Sequence, residues 1–388
     1  MTASGAAWGL GKALRGQEAA RIAAERALEQ TGTAHPVAAI VLSDQEFDLE
    51  NVVASLVPLM PKIPLWGFST TGVLTVEGEQ PHGVAVMILC GQKINAQTFL
   101  FTEKSERGET KDNFLQAVDK TETTGVLLAG DGYSGFDEGL VGDLTKRNIP
   151  VCGALASGIS VKGKTSQVGG EEVVRGAISA LLLGGRFRVA SGIGSGWKST
   201  GKRYRVTNAE GFWVDELDGK TPAACYAEAF GYPAREWAFS PLKELVRLYP
   251  LGVQPDLDEE SLSIHTPLWV EVDGRLRVNL PMEKGKTAHL MIGDRKACQG
   301  AVEQAVQMAI SQLGNVQPTA AMVWMDTSWQ MLFEGQVNHL LSVVSERLPN
   351  VPVLGAYTFG QLSRGNIKNE VKLYNQCLEI VLIGMAKK

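Results

Sequence analysis

Long apolar runs are missing from this chain: the most extended, such as Gly176 to Gly185, reach about ten residues, half of the roughly 20 that a membrane-crossing helix requires. No membrane span is expected. Met1 to Gly11 lacks a basic segment followed by an apolar core and a cleavage site, so no secretion signal is read and the expected location is cytoplasmic. Cysteine is scarce. The five residues, Cys90, Cys152, Cys225, Cys298 and Cys377, are odd in number, far apart and embedded in apolar runs, as reduced core thiols are. There is no C-x-x-C, and the five histidines (His35, His82, His265, His289, His339) stand at least 24 residues apart. Local spacing therefore builds no closed zinc site, and without C-x-x-C-H covalent haem is excluded, whereas a noncovalent haem needs one axial ligand only. Positive charge is also short: 37 Lys and Arg against 42 Asp and Glu give a net charge of -5 and no global attraction to a phosphate backbone. The one basic cluster, Lys198, Lys202, Arg203 and Arg205, reads as a solvated hairpin, so nucleic acid is not an expected partner.

What remains is an ordinary globular composition, 44% apolar and 20% charged, and 388 residues suit two domains better than one core. Self-similarity then organises the chain. One phrase occurs three times, as Ile63-Pro64-Leu65-Trp66-Gly67, Ile149-Pro150-Val151-Cys152-Gly153 and Val351-Pro352-Val353-Leu354-Gly355, each followed five residues later by a second glycine: Gly72, Gly158 and Gly360. Upstream of each lies a short β-branched run (Val37 to Leu42, Gly125 to Ala129, Ala320 to Met325) and then a helical pattern, such as Val337, Leu340, Leu341 and Val344. Strand, helix and strand spell a parallel βαβ pair. Further apolar runs return at Gly83 to Cys90, Ala177 to Leu183 and Cys377 to Ile383, so the expected fold is α/β: repeated strand-helix-strand units forming mixed β-sheets flanked by helices, in two tightly packed domains. Proline suits the opening of each second strand, and the glycines are expected to form loops that exit it sharply.

In open α/β sheets ligands gather outside the carboxyl ends of parallel strands, where these loops would stand. Their polar content is Ser69, Thr70 and Thr71 in the first, Ser157 in the second, and Tyr357 and Thr358 in the third. Hydroxyls and bare amides hold a small polar group; equally, Ser and Thr cap helices and satisfy turns. Gly130-Asp131-Gly132-Tyr133-Ser134-Gly135 matches G-x-G-x-x-G, but Leu144 to Gly170 contains no acidic residue for a ribose, so Asp131 and Tyr133 join the pocket candidates without a nucleotide. Gly196 to Arg203 approaches a P-loop, with Arg203 where magnesium needs Ser or Thr. Neither G-x-S-x-G nor an evident Ser/His/Asp order appears, so no catalytic residue is assigned, although an enzyme acting on a small metabolite stays open.

Several stretches resemble the FIST family: Trp8-Gly9-Leu10-Gly11, Leu65 to Gly72, Gly153 to Gly158, Val206 to Ala223 with its Leu-Asp-Gly turn and Pro222, Tyr249-Pro250-Leu251-Gly252-Val253, Gly355 to Gly360, and Asn375-Gln376. The resemblance implies a FIST N-type domain over about 1–230 and a FIST C-type domain over about 240–388. It also implies a non-catalytic bacterial sensory protein for a small polar metabolite or amino-acid-like ligand. With no output domain, such a protein signals through a partner such as a histidine kinase or cyclase. Some stand-alone members resemble haem-based nitric oxide sensors that regulate a histidine kinase, which is the alternative the likeness offers. Family loops often carry an acidic residue after the second and third glycine motifs; here Gly158-Ile159 and Gly360-Gln361 stand there.

Overall fold

In a computed structural model describing residues 5–102, 107–120, 122–158, 164–254, 262–364 and 369–386, each proline of the repeated phrase opens a strand where its missing N–H is harmless. Its carbonyl still works. Pro64, Pro150 and Pro352 accept from the amides of Ala39, Val126 and Ala321 at 3.0, 3.0 and 2.9 Å, starting the parallel ladder to the preceding strand in all three copies. Ile159 lies outside the described residues.

Each copy completes one α/β unit. In the first, Gly5–Lys12, Gly83–Cys90, Pro36–Asp44 and Leu65–Thr70 lie side by side, and only the last pair is parallel. The same order recurs in Ile94–Phe101, Ile178–Gly185, Thr123–Gly130 and Val151–Ala156, and again in Phe187–Ser195, Cys377–Met385, Pro318–Asp326 and Val353–Arg364. Helices cover the outer faces. Ala19, Ala23 and Ala27 of the helix Gly16–Thr31 pack on Val41, Val84 and Val86, and Ala301, Ala305 and Ala309 of Arg295–Leu313 pack on Val323 and Ile380. The inner faces share one core, to which the units contribute Ile40, Trp66 and Phe68, then Leu127 and Leu181, then Met322, Trp324 and Val381. Mixed sheets flanked by helices are thus found as expected.

Gly72 and Gly158 follow the strand ends at Thr70 and Ala156, but the first glycine of each phrase does something other than the loop exit expected of it. Gly67, Gly153 and Gly355 lie inside strands, and the third strand runs unbroken from Val353 to Arg364. A Cβ on Gly67 would come within 1.8 Å of the Val41 carbonyl oxygen, on Gly355 within 2.5 Å of that of Val323, and on Gly153 within 3.0 Å of that of Leu128. On its other side each glycine pairs with a residue of a different unit: Gly67 with Val168, Gly153 with Leu362, and Gly355 with Leu74. The first unit thus takes a strand from the second, the second from the third, and the third from the first. The exchange closes a ring.

Between Ser195 and Arg295 the chain inserts a seven-stranded sheet with its own core of Val214, Tyr226, Trp237, Leu276 and Leu290. Residues 231–239, between the two expected domains, lie inside this insertion, where Trp237 is 1% exposed in the core. The basic stretch read as a hairpin is instead one strand, Trp197–Glu210, irregular between Ser199 and Arg203 where it pairs with Thr287–Gly293.

Glu379 is the anomaly of the central sheet. It is fully buried opposite Trp324, and burial pushes its carboxyl up to about 8. Ser191 and Ser363, bonded to each other at 3.0 Å, soften that shift without completing a hydrogen bond to either carboxyl oxygen.

Two predictions follow from packing. Alanine at the three equivalent glycines destabilises in the order Gly67, Gly355, Gly153, with Gly67→Ala costing about 3 kcal/mol or more in urea unfolding. Because the folded pKa of Glu379 lies above its unfolded value, its contribution is full below about pH 4 and is lost as pH rises toward 8. Relative to Glu379→Gln, wild-type stability should therefore fall between pH 5 and 8 with a slope of up to ~1.4 kcal/mol per pH unit. Parallel pH curves for the two proteins count against a buried carboxyl.

Candidate functional site

At the carboxyl ends of the parallel strands the three repeats meet through hydroxyls. Ser157 Oγ donates to the Tyr357 carbonyl at 2.7 Å and accepts from the Thr71 amide at 2.9 Å. Thr70 Oγ1 donates to the same carbonyl at 2.8 Å, and the Tyr357 amide donates to Gly72 O at 3.1 Å. Four residues expected at a site, Thr70, Thr71, Ser157 and Tyr357, are therefore brought together, mostly as a buried junction whose polar groups satisfy one another. Thr71 is the half-buried member, and its hydroxyl also reaches Gln330 Oε1 at 3.4 Å.

The other expected residues are dispersed around this junction. Ser69 Oγ accepts from the Ser166 amide of the neighbouring hairpin, and the Thr358 hydroxyl bonds the Gln361 amide. Asp131 spends one oxygen on the Thr165 amide and hydroxyl (2.6 and 2.8 Å) and the other on the Ser134 amide (2.9 Å). Its loop amides are likewise used internally, Gly132 N–H by Thr165 and Gly135 N–H by the Asp131 carbonyl, which leaves little for a pyrophosphate. Tyr133 donates to the Gly158 carbonyl at 2.7 Å and meets the Phe359 ring edge-on at 5.7 Å.

Asp131 has two counterparts that sequence reading passed over. Asp44 and Asp326 close their β-branched strands at the same register, and Asp131 directly follows Gly130 at the end of the other; they are 6%, 0% and 1% exposed. Each accepts from an amide just downstream, of Glu46, Ser134 and Ser328, and each reaches a second segment through His82 N, Thr165 or Gln376 N. Aligning Ser43-Asp44, Gly130-Asp131 and Met325-Asp326 on the glycine phrases would have found all three. Burial raises Asp44 and Asp326, the latter held down in part by the nearby charge of Arg247.

Arg247 had no sequence signal, since it comes from the inserted segment. Its guanidinium lies over the Phe359 ring, 4.6 Å from Cζ to centroid, and one terminal nitrogen donates to Thr327 Oγ1 at 3.3 Å. Its buried Nε has no hydrogen-bond partner among the described residues, and burial pulls the arginine below its ordinary pKa. Thr327 and Gln330 share a face of the short helix Thr327–Leu332, and Gln330 Nε2 donates to Glu79 Oε1 at 3.0 Å. Burial raises Glu79, and Asp44 nearby adds to the rise. One helical turn thus separates an under-satisfied cation from a pair of carboxyls that resist ionising.

The described histidines do not fit an axial haem ligand. His35, His82 and His339 are exposed, with His82 paired to Glu46 at 2.7 Å and His339 against Phe333. His289 lies mid-sheet between two strands, and buried His265 turns Nδ1 to the Leu280 carbonyl at 3.2 Å within the inserted sheet's edge strand. Tyr374 is half-buried in the strand Val371–Tyr374.

Compared with known proteins, residues 37–220 match the FIST N domain and residues 222–364 the FIST C domain. Two uncharacterized Mycobacterium tuberculosis proteins, from strains CDC 1551 and H37Rv, are each 24% identical over 379 residues, covering 89% of this chain and 91% of theirs. A chorismatase and a cyanuric acid hydrolase from A. caulinodans align over 99% of both chains with TM-scores of 0.35 and 0.36 at 10% and 9% identity, values at which the likeness carries no argument.

The junction itself is testable. Ser157→Ala strands the Thr71 amide and removes a donor from the Tyr357 carbonyl, so it should cost about 2 kcal/mol in chemical denaturation, several times the effect of Ser69→Ala. Equal costs would remove Ser157 from the centre of the network.

Proposed function

Because this chain belongs to the FIST family, whose domains are sensory domains of signal transduction, we propose that it senses a small carboxylate-bearing metabolite and signals through a separate partner. The observation that carries the reading is Arg247: a guanidinium oriented by an aromatic face, with a buried Nε–H that nothing among the described residues accepts. Burying such a donor without a partner costs free energy, and a ligand carboxylate would recover it. Glu79, a helical turn away, would take an amine, so an amino-acid-like ligand uses both ends of the site. Of the expected residues, Tyr133 near Arg247 and Thr71 on Gln330 are the ones that would contribute hydroxyls. The haem alternative is checked directly by an absorbance spectrum of protein from haem-supplied cells.

A panel of α-amino acids and 2-oxo acids tests the reading by thermal melting. At least one compound should raise the melting temperature, and Arg247→Met should weaken its binding by about 30-fold or more. Glu79→Gln should impair amino acids while sparing the matching 2-oxo acids. Stabilisation that survives Arg247→Met moves the site elsewhere, and consumption of the stabilising compound replaces sensing with catalysis.

A further inference from the structure

The last inner strand is entered through Asn375 and Gln376, a pair the binding site leaves unused. Gln376 is fully buried with φ of 55°, a left-handed conformation that non-glycine side chains adopt at an energetic cost. Strain of this kind persists where surrounding bonds over-determine a residue. Here they come from three places. The Gln376 amide donates to Asp326 Oδ2 at 3.2 Å, at the carboxyl end of the third unit. Its carbonyl accepts from Ser195 Oγ at 2.9 Å and Trp329 Nε1 at 3.3 Å. Its side-chain Nε2 donates to the Arg247 carbonyl at 2.9 Å and to Thr266 Oγ1 at 3.1 Å, both in the insertion. Asn375 adds a second grip: its Nδ2 donates to the Ile264 carbonyl and its Oδ1 accepts from Asn279 Nδ2, both at 2.8 Å. Gly360 makes room for this grip, because a Cβ there would stand 2.7 Å from Asn375 Oδ1.

We infer that Asn375-Gln376 is the clasp through which the state of the Arg247 site is passed to the inserted sheet, with Gln376 as its positioning residue. The inference rests on the proposed site and adds how that site is read. Gln376 touches Asp326, the buried acid near the charge of Arg247, and the main chain of Arg247 at once, and the same side-chain amide holds Thr266. An anion bound at Arg247 Nε pulls on the guanidinium and with it on the single turn Val246–Leu248, whose Arg247 carbonyl Gln376 holds. The amide must follow that carbonyl or release it. Either way Thr266 moves, at the junction of Ser263–His265 and Pro267–Val270, the two edge strands of the inserted sheet. Occupancy at the ring of repeats is thereby read in a separate sheet, where a partner has an edge to meet.

The test uses no ligand. Arg247→Met frees the turn, and hydrogen exchange is followed at the amides of 263–266 and 279 in the full chain, with Gln376 intact and with Gln376→Gly, which accepts the left-handed backbone while removing the side-chain amide. Arg247→Met should raise exchange about tenfold with Gln376 present and at most about twofold in the glycine background, a non-additivity that a merely structural tie would not give. Equal increases in both backgrounds, or none in either, overturn the clasp. If Gln376→Gly unfolds, Gln376→Asn, which also tolerates the left-handed region, completes the same cycle with a shorter amide. Failure here leaves the carboxylate titration of Arg247→Met standing, and failure of that titration leaves this coupling measurable.

Discussion

Three backbone contacts hold the ring of repeats. At Gly67, Gly153 and Gly355 a strand approaches the carbonyl of its parallel neighbour so closely that no side chain fits, while its other edge receives a strand from a different unit. Each unit therefore loses an exposed edge only by accepting a neighbour's strand, and unpaired edges are what sheets must avoid. Burial of the inner faces depends on the same closure, because residues of all three units fill one core. The helices on the outside complete three further cores, and each of these also takes in the strand lent by another unit: Val168 in the first, Leu362 in the second and Leu74 in the third.

Against this apolar background the buried polar groups fall into two kinds. The hydroxyls of Thr70 and Ser157, the main chain of Tyr357 and the three aspartates are satisfied by protein atoms, so they stiffen the carboxyl end of the ring. Arg247 Nε and Gln376 Oε1 are not satisfied, and both lie where the inserted sheet meets that end. A rigid ring with under-satisfied groups at the joint to a second sheet suits a sensor, since the ligand's bonds then fall on the part that can move. Glu379, unsatisfied in the closed core, belongs to neither arrangement and marks a titratable group whose state the fold itself must carry.

Much of the architecture was legible in the residues. The phrase at Ile63, Ile149 and Val351 announced three parallel pairs, and the apolar runs between them announced mixed sheets, because period and punctuation are local properties. The site was legible only in part. Thr70, Thr71, Ser157 and Tyr357 do converge, but Asp44 and Asp326 needed the repeats aligned register by register, and Arg247 sits some 80 residues from Thr327 with nothing local to mark it. The glycines misled in an instructive way. A glycine in a tight loop and a glycine under a neighbouring carbonyl look alike in sequence, and the difference is decided by an atom on another strand.

By itself the sequence determined that this is an α/β chain of three related units with proline-opened strands, and its likeness to a sensory family. Those properties come from patterns along the chain, where hydrophobic period, proline and glycine act on their own neighbourhood. Only the tertiary structure decided that the units exchange strands in a ring, that Glu379 is buried without a partner, and that an arginine from the insertion stands over Phe359 beside the third aspartate. Such facts depend on contacts between segments far apart in sequence, and no local preference encodes which distant segment arrives.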